Sequence, residues 1–315
     1  MLRYVLRRLA VLPLVLFGVT VIVFLTLALI PGDPAVTILG PYATPEKVAQ
    51  LRSELALDRS LVVQYGAWLG DVVSGDLGRS YSLDRPVTQE IAARAGPTLL
   101  LAGTALVFAC LVGLAAGAIA AIRQYGWADR LLTTAVLIGI SMPTFWLGLI
   151  LILAFAVWLH WFPAHGMVAI WGGGGLGDLL HHLALPAVTL GLVAGGILAR
   201  ITRTHMLEVL RQDFVRTARA KGLRERRVLG RHAFVNALVA VIPVIGLQAG
   251  FVLSGAVYVE EVFAWPGLGR MLVGAIAARD IFLVQGGVLV IAVGYVLINL
   301  VADLLQRLLD PRIAA

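Results

Sequence analysis

The stretch Arg216-Thr217-Ala218-Arg219-Ala220-Lys221-Gly222 lies in the most basic part of a largely apolar chain. Residues 200–231 carry ten of the 25 Lys and Arg residues and three acids, Glu208, Asp213 and Glu225. That segment alone is +7, equal to the net charge of all 315 residues, so the remainder balances to zero. Leu207, Leu210, Phe214 and Ala218 recur at spacings of three, four and four, one stripe of a helix. Gly222 then supplies a stop, because glycine adopts the left-handed conformation at no steric cost. A second short helix over 224–231 is expected to leave at a new angle. A helix–glycine–helix elbow with this charge cannot cross hydrocarbon, so it is expected to lie along a membrane surface.

Working outward from this elbow, six runs have spanning length and no Asp, Glu, Lys, Arg or His: 9–30, 97–122, 131–159, 183–199, 237–259 and 281–302. A helix needs about 20 apolar residues to cross the hydrocarbon, and the shortest run, 183–199, can be extended at its ends. The first run follows Arg3, Arg7 and Arg8, as a secretory leader does. It ends in Ile30-Pro31-Gly32-Asp33 without a small-x-small cleavage site and reads as a retained anchor. Hydrophobic residues make up 60% of the chain and charged ones 14%, which puts it in the membrane class.

The distribution of Lys and Arg sets the expected orientation. With the N-terminus inside, the inner segments hold seventeen, whereas the two short outer loops, 160–182 and 260–280, hold only Arg270 and Arg279. Both termini are therefore expected in the cytoplasm. The expected organisation is an inner N-terminus (1–8), a first span (9–30), an extracytoplasmic segment (31–96) and a transmembrane core (97–315) containing the loop 200–236. Within 31–96, Thr44-Pro45-Glu46 opens a helix over 45–57, with Val48, Leu51 and Leu55 at helical spacing. A second short helix over 64–73 stops around Gly75-Asp76-Leu77-Gly78. Together they suggest a small helical cap.

Several function classes are disfavoured. The basic residues cluster beside spans and not on a face with interleaved aromatics, so nucleic acid is set aside. The lone Cys110 supports neither an internal disulfide framework nor a cysteine-based metal site, and it reads as a packed apolar side chain. His160, His165, His181 and His182 have no standard metal-ligand spacing, and the tip Trp171-Gly172-Gly173-Gly174-Gly175 beside them reads as a turn. Span cores without ionisable groups argue against a proton-coupled carrier, and Gln248 and Asn299 read as helix–helix hydrogen-bonding residues. Neither lysine, Lys47 or Lys221, completes a nucleotide-binding phosphate loop. Neither catalytic residues nor a cofactor site is expected in the chain. Pro143, Pro186 and Pro243 are expected to interrupt three spans. Gly113, Gly117, Gly191, Gly195, Gly246 and Gly250 form small-x-x-x-small ridges that suit close helix packing.

For the basic segment itself, ordinary positive-inside charge accounts for the sign but not for the ordered stripe. Binding of anionic membrane lipid and docking to a cytoplasmic protein remain alternatives. At Arg216-Thr217-Ala218 with Gly222, however, the segment resembles the cytoplasmic loop of permease subunits from bacterial ABC importers. That family's pattern is Glu-Ala-Ala, three residues, then Gly, and Arg216 stands where the glutamate would be. The wording through Leu223, followed by His232-Ala233-Phe234-Val235-Asn236-Ala237, is similar to the dipeptide/oligopeptide/nickel branch. The likeness extends to Ile30-Pro31-Gly32-Asp33-Pro34, Gly75-Asp76-Leu77-Gly78, Ser141-Met142-Pro143, Trp265-Pro266-Gly267-Leu268-Gly269, Gln285-Gly286-Gly287 and Asn299-Leu300-Val301-Ala302-Asp303-Leu304-Leu305.

The resemblance implies an all-α integral membrane protein. It would be a six-helix type I ABC importer permease with a short cytoplasmic coupling helix and a small helical extracytoplasmic segment. Its implied partners are a second homologous permease, two cytoplasmic ATPase subunits that bind ATP and Mg, an external substrate-binding protein, and membrane lipid. The implied coupling residues are Phe214, Arg216, Thr217, Ala218, Arg219, Ala220, Lys221 and Gly222, with Phe214 anchoring the elbow on the bundle. Phe263, Trp265, Pro266 and Arg270 are candidates for contact with the binding protein, or for an interfacial turn with a tryptophan anchor. The implied cargo is a short peptide, with nickel, glutathione and haem as alternatives within the branch. From another class, the alternative is a stand-alone channel or facilitator.

Overall fold

A backbone surrounded by lipid has to satisfy its own N–H and C=O groups, and long apolar runs do so as helices. The computed structural model describes residues 2–29, 33–40, 43–54, 56–169 and 174–309. Ile30-Pro31-Gly32 and Trp171-Gly172-Gly173, singled out in the sequence, lie outside the described residues.

In chain order the elements begin with α1 (Leu2–Ala28), α2 (Pro34–Leu39), α3 (Pro45–Glu54) and α4 (Leu61–Ser74). A small antiparallel hairpin pairs β1 (Arg79–Ser80) with β2 (Arg85–Pro86) and leads into α5 (Val87–Ile122). Next come α6 (Trp127–Ser141), and α7 (Thr144–Leu151), which continues into a π-helical stretch (Ile152–Trp158). The long α8 (Leu176–Leu210) precedes the short α9 (Asp213–Ala220). After it α10 (Glu225–Arg227) runs through a second π-helical stretch (Val228–Phe234) into α11 (Val235–Val262). The chain closes with α12 (Leu268–Ala277) and α13 (Ile281–Leu309).

All six apolar runs fall on helices: α1, α5, α6 with α7, α8, α11 and α13. The interruption expected at Pro143 is present, since α6 and the α7 stretch meet at a bend of 111°. Met142 there is extended (φ −86, ψ 133), as the residue before a proline tends to be. Two other expectations need correction. Pro186 and Pro243, expected to interrupt their spans, lie inside the continuous α8 and α11. The separate helix expected over 224–231 is instead the lead-in to α11, reached through the π-helical stretch.

The chain divides into two compact units, Met1–Gly96 with Gly267–Val296, and Pro97–Pro266 with Leu297–Ala315. In the first, Val87, Ile91, Leu268, Met271 and Leu283 form a buried core. The hairpin is tied to the start of α13 by the buried Asp280, whose Oδ2 accepts from Ser80 Oγ (2.5 Å), Ser82 Oγ (2.7 Å) and Ser82 N (3.1 Å). The Tyr81 hydroxyl donates to Arg279 O and accepts from Ile281 N. Burial pushes this phenol up to about 12, so it remains a donor. A Cβ on Gly78 would meet the Phe282 ring at 3.0 Å, and one on Gly286 would meet Val87 Cγ1 at 2.6 Å. Two of the sequence signatures are therefore close-packing positions in this unit.

In the second unit, α5 and α8 approach through reciprocal glycines. A Cβ on Gly113 would lie 2.5 Å from Gly195 O, one on Gly117 2.4 Å from Ala199 O, and one on Gly191 2.6 Å from Ala105 O. Gly246 of α11 meets Ala302 of α13 in the same way. Leu101, Leu198, Val252, Val259, Phe263 and Trp265 belong to the buried core of this unit.

Candidate functional site

The helix α9 is short enough that its position depends on what lies beneath it. Val215 and Ala218 are buried, and they pack with Ala121, Met206, Val209, Val228, Ala233 and Ala237. The expected anchor, Phe214, is exposed, and Val215 takes that place. The reason is a break in the helix. The chain leaves helical geometry around Arg211-Gln212, where Gln212 is extended (φ −76, ψ 152), so the spacing counted from Leu207 does not carry across to Phe214, and α9 buries Val215 with Ala218. Of the eight residues expected to form the coupling surface, Ala218 faces inward. Phe214, Arg216, Thr217, Arg219, Ala220, Lys221 and Gly222 are exposed.

The end of α9 is fixed by local hydrogen bonding. Gly222 takes φ +74 and donates its N–H to Arg219 O at 2.9 Å, while Leu223 N donates to Ala218 O at 3.3 Å. This pair of bonds is a Schellman cap, which satisfies carbonyls left open at a helix C-terminus. Leu223 is partly buried in the same apolar cluster, a contact that frequently accompanies that motif. Across the turn, Arg219 grips Glu225 with both ends of its guanidinium, Nη2 to Oε1 at 2.7 Å and Nε to Oε2 at 3.2 Å. Hydrogen bonding to Glu225 raises the already high pKa of Arg219. Arg216 is more loosely placed, 3.7 Å from the exposed carboxylate of Asp213. Lys221 donates its backbone N–H to Thr217 O at 3.0 Å.

Below α9 lies an ion pair that sequence reasoning missed. Arg203 on α8 donates to both oxygens of the buried Asp129 on α6, at 2.7 and 2.8 Å. Asp129 also accepts from Tyr125 N (2.9 Å) and Thr133 Oγ1 (3.3 Å). Two planar groups paired in this way hold α8 and the start of α6 in one register. The signal available was an acid next to Arg130 and an arginine within the basic segment, and both read as ordinary surface charge.

The other candidate contact region is built differently. Phe263 and Trp265 are almost wholly buried, so neither offers an outward contact in this structure. The Trp265 indole donates to Pro97 O at 3.0 Å, and Phe263 O accepts from Gly166 N at 2.9 Å. The histidines of loop 160–182 brace their own surroundings: His181 Nε2 lies 2.7 Å from Trp161 O and His182 Nδ1 2.9 Å from Asp178 O. Pro266 is half-buried and Arg270 is exposed.

Comparison with known proteins fits a membrane bundle carrying a small docked helix. Residues 113–315 match the family described as binding-protein-dependent transport system inner membrane component. Residues 1–102 match the N-terminal region of such components. The chain belongs to this family. The permease is 43% identical over 313 residues to the glutathione transport system permease protein GsiC of Escherichia coli K12, covering 99% of each. It is 42% identical over 331 residues to the dipeptide transport system permease protein DppB of Alkalihalophilus pseudofirmus, again covering 99% of each. Among solved structures, it matches a chain of the inward-facing MetNI methionine ABC transporter with a TM-score of 0.55 at 17% identity, covering 70% of the permease and 96% of that chain. A chain of an amino acid ABC transporter gives 0.51 at 16% identity, with 71% and 94% covered. These two likenesses concern the fold. Family membership makes the permease an all-α inner-membrane transport component, and it implies ATPase and binding-protein partners in general.

Proposed function

We propose that the permease forms half of the translocation path of an ATP-driven importer for short peptides. It would act with a second, homologous permease, two cytoplasmic ATPase subunits that carry ATP and Mg, and an external binding protein that delivers the cargo. In this reading the basic loop and both termini are cytoplasmic, as the Lys and Arg distribution favours. The exposed face of α9, with Arg216, Thr217, Arg219 and Lys221, docks on an ATPase subunit. Val215, Ala218 and the Schellman cap make α9 a rigid lever, so closure of the ATPases biases the bundle between two states.

The observation that carries the cargo assignment is full-length identity above 40% to permeases named for dipeptide and for glutathione transport. Dipeptides and glutathione are both small peptides, and the span runs carry no fixed charge that would select among them. Glutathione is the second reading, favoured by the GsiC likeness. Selection between the two would fall to the binding protein.

The test is reconstitution of the purified complex in vesicles with labelled dipeptide or glutathione. Uptake that requires ATP, both ATPases and the binding protein supports the proposal. Passage of peptide through the permease alone, without nucleotide, overturns it in favour of a stand-alone facilitator.

A further inference from the structure

In the segment between the first two spans, whose wording suggests a cap on the outer face, α4 packs against the side of α1 through one turn, Tyr65 and Trp68. Its aromatic residues pack on the apolar body of that helix and not on its end. Tyr65 meets Phe17 and Phe24 edge-on at 6.2 and 5.4 Å between ring centroids, and Trp68 lies 5.9 Å from Phe24. The Tyr65 hydroxyl is 2.8 Å from Thr20 Oγ1. At a rise of about 1.5 Å per residue, Phe24 and Thr20 lie about 6 and 12 Å along the α1 axis from its end at Ala28. An in-plane amphipathic helix sinks its apolar face about 5–10 Å into the headgroup and acyl boundary; the Phe24 contact lies at that depth, while Thr20 and Phe17 lie deeper along α1.

The faces of α4 agree with that placement. Val62, Leu69 and Val73 share one edge, at spacings of seven and four. Val62 and Val73 are 80% and 81% exposed. Gln64 and Asp71 fall on the opposite edge, and the helix is flanked by Asp58 and Arg59 before it and Asp76 after it. Polar residues at both ends and along one side suit a helix lying in the plane of the membrane. α1 is also apolar and exposed at Leu14, Phe17, Ile22 and Leu25, so both helices present apolar side chains outward.

We propose that α4 is an in-plane membrane helix whose Val62–Leu69–Val73 edge rests in the hydrocarbon of the leaflet reached by the C-terminal half of α1. The occupant of this edge is lipid acyl chain, and Gln64 and Asp71 face the headgroups and water. Such a helix braces α1 sideways within the bilayer.

The experiment places a nitroxide at Val62→Cys, at Val73→Cys and, as an aqueous reference, at Lys47→Cys on α3, each in a Cys110→Ser chain. The assembled complex in phospholipid vesicles is then probed with molecular oxygen and with a water-soluble nickel chelate. Relative to Lys47→Cys, both valine positions are expected to gain oxygen collisions and lose nickel collisions several-fold. Nickel collisions equal to the reference would place the edge in water, and loss of both kinds would place it against a protein. Either result overturns the proposal. Peptide uptake by the same vesicles reads the transport function separately, so the two readings fail independently.

Discussion

The two regions with the most distinctive wording, the basic loop around α9 and the loop from Phe263 to Arg270, come out as opposites. In the basic loop most of the distinctive residues are at the surface, while plain ones, Val215 and Ala218, make the inward contact. In the other, the distinctive aromatics Phe263 and Trp265 are the core. A distinctive motif can mark a surface that something touches or a plug that holds helices together. Charge separates the cases: four cationic or hydroxyl side chains along α9 would cost heavily if buried, whereas an indole with its N–H on Pro97 O is well satisfied inside.

That contrast can be broken by substitution, and the largest effects are expected in the buried region. Trp265→Ala removes a fully buried aromatic and one hydrogen bond, and is expected to cost about 3–5 kcal/mol. In detergent the variant should melt well below the parent. Normal melting with selective loss of binding-protein affinity would instead make Trp265 a contact residue. Arg203→Ala leaves Asp129 buried without its main partner, and a cost of about 3 kcal/mol is expected. The double variant Arg203→Ala/Asp129→Ala should recover part of it in a thermal-melt cycle. Additive losses would mean that the pair is not coupled.

The same residues show how far the fold and the site were legible in the sequence. Hydropathy located six runs because lipid exposure demands uninterrupted apolar side chains, and each run is helical in the structure. The behaviour of the prolines was legible only at Pro143. Pro143 sits at a 111° bend while Pro186 and Pro243 are absorbed in continuous helices, because the effect of a lost N–H depends on neighbouring helices rather than on local wording. A helical stripe places Phe214 inward only if the helix is unbroken, and the pause at Arg211-Gln212 breaks that spacing, so Val215 takes the inward place beside Ala218. The π-helical stretch Val228–Phe234 escaped for a related reason, since its hydrogen bonds close over five residues and depart from the 3.6-residue period. The Asp129–Arg203 pair joins residues 74 apart in sequence, and no local pattern announces it.

Smaller effects on stability are expected at α9, where the consequence should be functional. Gly222→Ala meets no neighbouring atom within 4 Å, so only the left-handed backbone (φ +74) resists it, at about 1–2 kcal/mol. Its melting point should fall slightly, and peptide uptake per ATP hydrolysed should fall further if the cap sets the angle of the lever. An unchanged ratio would reduce Gly222 to a turn residue. Glu225→Ala frees Arg219 from an exposed pair worth roughly 0.2–1 kcal/mol, and should leave melting almost unaltered.

The most direct measurement is charge reversal on the exposed face of α9, Arg216→Glu with Lys221→Glu, in the complete complex. If that face docks on an ATPase subunit, the permease should insert and melt like the parent, while its ATPase subunits no longer co-purify and ATP-driven peptide uptake is lost. Retention of both ATPase subunits with full uptake would contradict the docking role of α9.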